Sequence, residues 1–546
     1  MYDLFGKGVS KGLAIGELKV LTKNPPISPS SSSGESPELE WGRLVAAQET
    51  AMQQLDELVE RARNEVGEEA AILFETHQLM LEDDDFNDAL KEAIEENLSA
   101  EAALMQTAEQ FESMFLSMDS EYMKARAADV RDISDRMLNI LSGNQSCLDL
   151  SGDKKYILAA VDLAPSETIQ LDKSKVLGFI MSAGTANSHT AILARTLGIP
   201  AIMNVGEALF DIKEGSTVYI DGEKGEIFAN PDAQELTELM EKVRENEIKK
   251  AALAQLKGLS NTSIDGKTVK VYANIGSPTD VDAVIENDAG GIGLFRSEFL
   301  YLQSSNYPDE NTQFQAYKTV AEKMGGKPVI IRTLDIGADK KADYFELNPE
   351  ENPALGFRAI RICLSRPEMF KTQLRAIYRA SAYGNLAIMF PMIASSWELK
   401  KAKQLCVEVQ NELEYEGFTF NKSLPIGIMI ETPASVIIAD ELAKDADFFS
   451  IGTNDLTQYT LAVDRQSNVE LDPFFDPHHP AVLRMIKMVA EAAHNAGIWA
   501  GICGELAADT SLTKYFLSIG IDELSVAPAS VLTLRNQIRN TDCSSI

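Results

Sequence analysis

A chain of 546 residues exceeds what one hydrophobic core can organise, so roughly two to four domains are expected. Its net charge of −33 excludes a nucleic-acid binder, which needs a basic face against phosphate, and suits solubility or a basic protein partner. No apolar run approaches a membrane span, and Met1-Tyr-Asp-Leu-Phe-Gly-Lys7 lacks the basic and apolar regions of a signal peptide. The five cysteines (Cys147, Cys363, Cys406, Cys503, Cys543) are scattered without metal-type spacing, which argues for a reducing, cytoplasmic location without disulfides.

Residues 8–22 read as a strand pair with glycine turns, and the Pro/Ser-rich stretch from Asn24 to Pro37 marks a boundary. From Glu38 to about Ser142 glycine and proline almost vanish. Apolar residues there follow a helical period, with Leu44, Ala51, Leu55, Leu58 and Val59 on one face. Further helices are expected at 68–82, 85–97, 100–118 and 121–141, giving an all-helical module. Between Ser36 and Gln145 the sequence holds 26 acidic and 8 basic residues, a surplus of 18 negative charges in about a fifth of the chain. A solvated surface explains part of that surplus. The run Glu82-Asp-Asp-Asp-Phe-Asn-Asp88, beside Leu79, Met80 and Phe86, joins an apolar patch to an acidic rim and suits docking of a basic partner.

α/β texture returns at 155–228, where Tyr156 to Val161 and Val176 to Met181 are buried-type strands and Ser216 to Gly222 closes the unit. The N-terminal strands need partners, so the helical module is expected to be an insertion. Residues 1–35 and 146–230 would then form one α/β domain, with 36–145 inserted into it. Inside it, Gly184-Thr-Ala-Asn-Ser-His189-Thr190 leads into a helical pattern of Ile192, Leu193, Thr196 and Leu197, stopped by Gly198 and Pro200. His189 would sit in the first turn, where unpaired N–H groups and the helix dipole favour an anion and disfavour the imidazolium. A neutral imidazole in that place is suited to accept a phosphoryl group; the bland alternative is a histidine capping a buried helix.

Residues 231–261 read as a charged helical linker and 262–546 as a barrel. Eight short apolar runs (269–274, 291–296, 328–334, 386–392, 426–431, 447–454, 499–503 and 523–527), each followed by a helical pattern, point to a (β/α)8 barrel. Its active site would lie at the carboxyl ends of the strands. Those ends hold Asn274, Arg296 with Glu298, Arg332 with Asp335, Met392, Glu431, Asn454 with Asp455, Cys503 with Glu505, and Ser530. Lys340, Arg358 and Arg465 follow in adjoining loops. Several guanidinium groups imply a small, multiply anionic ligand. Glu431 and Asp455 are hard oxygen ligands suited to magnesium. Cys503, flanked by Gly501 and Gly504, could exchange a proton with a carbon centre. A lone buried cysteine is more often inert packing, and it is the company at the strand ends that reverses that reading.

The segments Gly184 to Arg195, Gly293-Leu-Phe-Arg-Ser-Glu-Phe-Leu300, Arg332-Thr-Leu-Asp-Ile-Gly337, Glu351 to Arg361, Ile430-Glu-Thr-Pro433, Phe448 to Tyr459 and Gly501-Ile-Cys-Gly-Glu505 resemble the enzyme I family of the bacterial sugar phosphotransferase system. The similarity spans essentially the whole chain, including the helical insertion. It implies that His189 takes a phosphoryl group from phosphoenolpyruvate and hands it to a histidine on the small carrier HPr. Arg296, Arg332, Arg358 and Arg465, with Asn454 and Lys340, would hold the phosphate and carboxylate. Glu431 and Asp455 would bind Mg2+, and Cys503 would protonate the enolate to pyruvate. The helical module would dock HPr, with Leu79, Met80, Phe86, Leu116, Tyr122 and Arg126 as contacts, and the barrel would form a homodimer.

Thr185 and Ala186 depart from the glycine and arginine usual in the family, and Ala338 and Ala508 stand where glycines are common. The sequence stops at Ile546, which implies a short eighth helix. His77, on an apolar helix near the expected dock, His478 and His479 in a loop, and His494 on a late helix read as structural. Three rivals stand beside the main reading. One is an ATP-dependent pyruvate dikinase or phosphoenolpyruvate synthase, which would need a nucleotide-grasp domain where the acidic helices stand. The others are a regulatory paralogue and a non-catalytic acidic scaffold.

Overall fold

The computed structural model describes residues 2–21, 36–65, 68–117, 121–143, 154–161, 163, 167, 171–184, 190–191, 194, 198–302, 304, 306–337, 343–464 and 469–544. They form two compact units, 1–249 and 250–546.

In the first unit, strands β1 (Tyr2–Phe5), β2 (Lys7–Ser10), β3 (Leu13–Val20), β4 (Tyr156–Ala160), β5 (Val176–Met181), β6 (Ala201–Met203), β7 (Thr217–Asp221) and β8 (Glu226–Ala229) make one sheet in the order β1-β8-β7-β3-β4-β5-β6-β2. β3 pairs directly and in parallel with β4, from Glu17↔Tyr156 to Val20↔Ala159. The chain therefore leaves the sheet after β3 and returns beside it some 130 residues later. One side of the sheet buries Leu158, Phe179 and Met181, the other Leu18, Ile157, Ile180, Ile220 and Ile227, which is the two-residue alternation of a strand covered on both faces. β1 and β8, which pair antiparallel across the whole unit, were absent from the sequence reading.

Between β3 and β4 lie helices α1 (Pro37–Glu65), α2 (Glu68–Leu81), α3 (Asp84–Glu95), α4 (Ala100–Leu116) and α5 (Glu121–Leu141). Asp83 caps α3 by accepting from Phe86 N at 3.1 Å, and Ser99 caps α4 by accepting from Ala102 N at 3.2 Å. Leu44, Leu55, Phe74, Leu81, Phe86, Leu90, Leu104 and Met137 form the helical core. A long helix α6 (Ala233–Ala254) follows β8.

The second unit is a closed barrel of eight parallel strands: β9 (Lys270–Ile275), β10 (Ile292–Arg296), β11 (Val329–Arg332), β12 (Leu386–Phe390), β13 (Ile426–Ile430), β14 (Phe448–Ile451), β15 (Trp499–Ile502) and β16 (Glu523–Val526). The strands differ by at most a few residues from the runs read in the sequence. Outward residues such as Val271, Ile331, Ile388, Ile428, Ile502 and Leu524 pack under the helices in one large core. The inner face holds only a small apolar cluster, Leu294, Ile330, Met389, Met429, Phe448 and Cys503, with Trp499 packed against it. The final helix runs over Val531–Arg539, and Ser530 stands at its start as the N-cap residue. Among the described residues no helix is long and apolar enough to cross a membrane.

Candidate active site at the barrel mouth

β11 ends at Arg332, which is buried. Its Nη2 bonds the Glu298 carboxylate, and its Nη1 lies 3.1 Å from Asp335 Oδ2. Arg358 reaches the other oxygen of Asp335, Nη2 to Oδ1 at 2.9 Å. Burial works against both cations. For Arg332, Glu298, Asp335 and Glu431 outweigh it, and for Arg358 mainly Asp335 does, so both guanidinium groups stay charged more firmly than in water.

The backbone around them is fixed by buried polar contacts. Ser297 Oγ donates to Arg332 O at 2.7 Å, Gln373 Nε2 donates to Ser297 Oγ at 2.9 Å, and Leu334 N donates to Gln373 Oε1 at 2.9 Å. Arg358 is presented by a loop whose next residue, Ala359, has φ +51° and donates its N–H to Ile336 O at 2.9 Å. That left-handed conformation is strained for alanine, and it turns the chain back toward the mouth.

Glu431 follows β13 and is fully buried. Its Oε1 accepts from Met392 N at 2.6 Å, while Oε2 has no hydrogen-bond partner. Burial, followed by the charges of Asp455 and Asp335, pushes its pKa up to about 8. A carboxylate with a free buried oxygen among other acids is an arrangement that a cation would relieve. Asn454 and Glu505 exchange two hydrogen bonds, Nδ2 to Oε1 at 3.1 Å and Glu505 N to Oδ1 at 3.2 Å, which ties the helix that starts after β14 (Thr453–Leu461) to the short 3-10 turn after β15 (Glu505–Ala508). Asn274 Nδ2 donates to Cys503 O and Ser525 O at 3.0 and 3.1 Å. The Cys503 thiol lies inside, 3.7 Å from Ile451 O, and burial pushes its pKa up to about 12, which keeps it a protonated thiol.

Arg332, Arg358, Glu431, Asp455 and Cys503 are thus within electrostatic reach of one another in one mouth. Arg296 stands exposed at the end of β10. His189, Lys340, Arg465 and the side chain of Tyr122 lie outside the described residues. On either side of the histidine segment, β5 ends at Met181 and the chain leaves it through Ser182 to Gly184 (φ +102°), while Thr190 and Ala191 are helical and buried.

On the helical module, Leu79 and Leu116 are exposed at 67 % and 52 %, and Met80 is half-buried. Phe86 differs from its reading as a surface contact. It is 3 % exposed and meets Phe111 edge-on at 5.3 Å, because the acidic residues around it take the outer face of α3 and leave it the inner one. Arg126 Nη1 pairs with Asp129 Oδ2 at 2.9 Å. His77 is buried with Nε2 3.3 Å from Asp129 Oδ1, a neighbour that the spacing within its own helix could not reveal.

A parallel barrel whose mouth gathers arginines, acids and a thiol belongs to the class of enzymes that bind small anionic substrates at strand ends. Three family models match: PEP-utilising enzyme, N-terminal over residues 5–126, mobile domain over 152–225, and PEP-binding domain over 250–543. Curated phosphoenolpyruvate-protein phosphotransferases align with nearly the whole chain. That of Priestia megaterium is 44% identical over 539 residues, covering 98% of this chain and 94% of its own. That of Bacillus subtilis (strain 168) is 43% identical over 539 residues with the same coverage, and that of Staphylococcus aureus 41% over 534, covering 98% and 93%. An NMR solution structure of Enzyme I matches with a TM-score of 0.40 and 31% identity over 45% of this chain and 99% of its own. The chain belongs to the PEP-utilising enzymes, in the phosphoenolpyruvate-protein phosphotransferase family, and is a transferase that uses phosphoenolpyruvate.

Proposed function

We propose that the chain moves the phosphoryl group of phosphoenolpyruvate to His189, releases pyruvate, and passes the group to a histidine of HPr as the first step of sugar phosphotransfer. The observation that carries this reading is the pair Arg332 and Arg358, both held charged on Asp335, beside a buried Glu431 with an unpaired oxygen. Arg296, Lys340, Asn454 and Arg465 complete the set that would hold phosphate and carboxylate.

The residues fit Mg2+. Glu431 Oε2 lacks a partner, Asp455 is the leading charge acting on it, and both are hard oxygen donors. Glu431 and Asp455 are the two carboxylates that would hold the ion. That suits Mg2+, which commonly takes one or two carboxylates and completes its shell with water and substrate oxygens. Bound there, the ion would supply neutralising charge for the phosphate and the enolate oxygen.

The chain's own groups do the rest. The arginines orient the phosphate so that the neutral imidazole of His189 forms a P–N bond as the P–O bond to the enolate breaks. The Cys503 S–H then gives its proton to C3 of the enolate, forming the methyl group of pyruvate. His189 must serve both the barrel and HPr, so residues 1–230 would swing on the linker that contains α6. The acidic helical module, with Leu79, Met80, Leu116, Tyr122 and Arg126 at its contact surface and Phe86 supporting it from below, would receive a basic HPr. A homodimer through the barrel completes the assembly, in the cytoplasm.

Incubation with labelled phosphoenolpyruvate and Mg2+ tests this. Acid-labile label on the wild type, absent from His189→Ala and passed to HPr, supports it. Labelling that requires ATP would favour a dikinase.

A further inference from the structure

Beneath the mouth the barrel interior holds a second polar set that the reaction above does not use. Glu523 opens β16 and is fully buried, and neither carboxylate oxygen has a hydrogen-bond partner. Leu524 and Val526 join the core under the helices, so Glu523 and Ser525 take the inner face. Two glycines make room for the carboxyl. A Cβ at Gly501 would lie 2.1 Å from Glu523 Oε2, and one at Gly293 would lie 2.4 Å from Oε1. Gly293 sits where the register of β9 and β10 shifts.

The lateral register shows where this carboxyl leads. Ser450 pairs with Gly501, Gly501 with Glu523, and Glu523 with Lys270 across four neighbouring strands. With no side chain at 501, nothing on β15 stands between Glu523 and Ser450 at that level. The Ser450 hydroxyl, buried and without a conventional hydrogen-bond partner, lowers the pKa of the Cys503 thiol, while Glu523 raises it. At the other end Lys270 is exposed, with its Nζ 5.2 Å from the Trp499 ring, and it is the charge that acts on Glu523. Burial raises the Glu523 pKa well above the ordinary value, so the carboxyl is neutral and carries a proton.

We propose that Glu523 returns to Cys503, through the Ser450 hydroxyl, the proton that the thiol gives to the enolate, and is itself refilled from the Lys270 side of the barrel. The inference rests on the reading of Cys503 as the proton donor. In balance, the S–H bond breaks as C3–H forms, leaving a thiolate. Ser450 O–H gives its proton to Sγ while Glu523 O–H gives its proton to Ser450 Oγ. The resulting carboxylate takes a proton from the Lys270 ammonium, which regains one from solvent. Glu523 never touches the substrate and is a positioning and proton-supplying residue.

Because the thiol begins each cycle protonated, the relay is needed from the second turnover onward. The test follows keto-pyruvate by ketone-specific coupled reduction, and phospho-HPr alongside it, with phosphoenolpyruvate, Mg2+ and excess HPr. In Glu523→Gln the first equivalent of ketone per site should form at the wild-type rate. Later equivalents should trail HPr phosphorylation by about a hundredfold, the lower end of what positioned proton transfer contributes. Ser450→Ala, which keeps the carboxyl, should show the same one-equivalent burst and covers the case in which Glu523→Gln fails to fold. Cys503→Ser should be slow from the first equivalent. If later equivalents keep pace in both relay variants, or if the first is already slowed in both, the relay is wrong while the Cys503 reading stands. A normal ketone rate in Cys503→Ser removes that reading, and the relay with it.

Discussion

Glu523→Gln also probes the buried carboxyl through stability, independently of catalysis. In the folded barrel burial keeps Glu523 protonated well above the ordinary value of 4.5, with only the charge of Lys270 opposing it. The unfolded chain releases that proton above about pH 4.5, so between there and the folded pKa the native state binds one proton more. Stability from this group is therefore fully present below pH 4.5 and is lost as pH rises, at about 1.4 kcal/mol per unit. Each pH unit crossed below the folded pKa is a sizeable part of a typical net stability of roughly 5–15 kcal/mol. Glutamine has no proton to hold. The variant's stability relative to wild type should therefore improve by about 1.4 kcal/mol per pH unit from pH 5 up to the folded pKa, whatever its offset at pH 5. Urea titrations of the full chain at four pH values would measure this, read by Trp499, whose ring stacks on Phe448 at 4.7 Å inside the barrel. A difference between variant and wild type that stays flat from pH 5 to 8 would refute the assignment of a neutral buried carboxyl.

Three further outcomes follow from the same geometry. Arg358→Ala removes the guanidinium from Asp335 Oδ1 while Arg332 keeps its place on Oδ2, and should lower kcat/KM for phosphoenolpyruvate about a hundredfold in steady-state assays. Glu431→Gln removes the oxygen without a partner and should abolish saturable Mn2+ binding in the presence of pyruvate; unchanged binding by calorimetry would place the cation elsewhere. Gly501→Ala drives a methyl carbon to within 2.1 Å of Glu523 Oε2 and should cost about 1–3 kcal/mol, visible as a lower unfolding temperature.

Much of the barrel was legible because its strands are continuous apolar runs that end in charged residues, as in Val329-Ile-Ile-Arg332 and Ile426 to Glu431. The mouth residues could be picked out for the same reason, since strand ends are where a parallel barrel presents side chains. Glu523 and Ser525 were passed over because they fall inside such a run. Their signal was the alternation of polar Glu523 and Ser525 with apolar Leu524 and Val526, which in a barrel separates the inside from the helix side. The edge strand Tyr2–Phe5 was illegible because its partner, Glu226–Ala229, lies more than two hundred residues away, and the latter is a four-residue return strand on Thr217–Asp221 too short to stand out. Phe86 was misread by taking the acidic run as one surface. On a helix Asp84, Asp85 and Asp88 turn outward while Phe86 and Leu90 turn in.

The central claim is that the barrel mouth delivers phosphate to one imidazole. Rapid-quench mixing of the full chain with labelled phosphoenolpyruvate and Mg2+ reads it directly, with wild type, His189→Ala and Arg332→Ala in parallel. The account predicts one acid-labile phosphate per chain on His189 in the wild type, none in His189→Ala although it still binds phosphoenolpyruvate, and a rate reduced about a hundredfold or more in Arg332→Ala. Label that persists in His189→Ala, or a wild-type rate in Arg332→Ala, would contradict it.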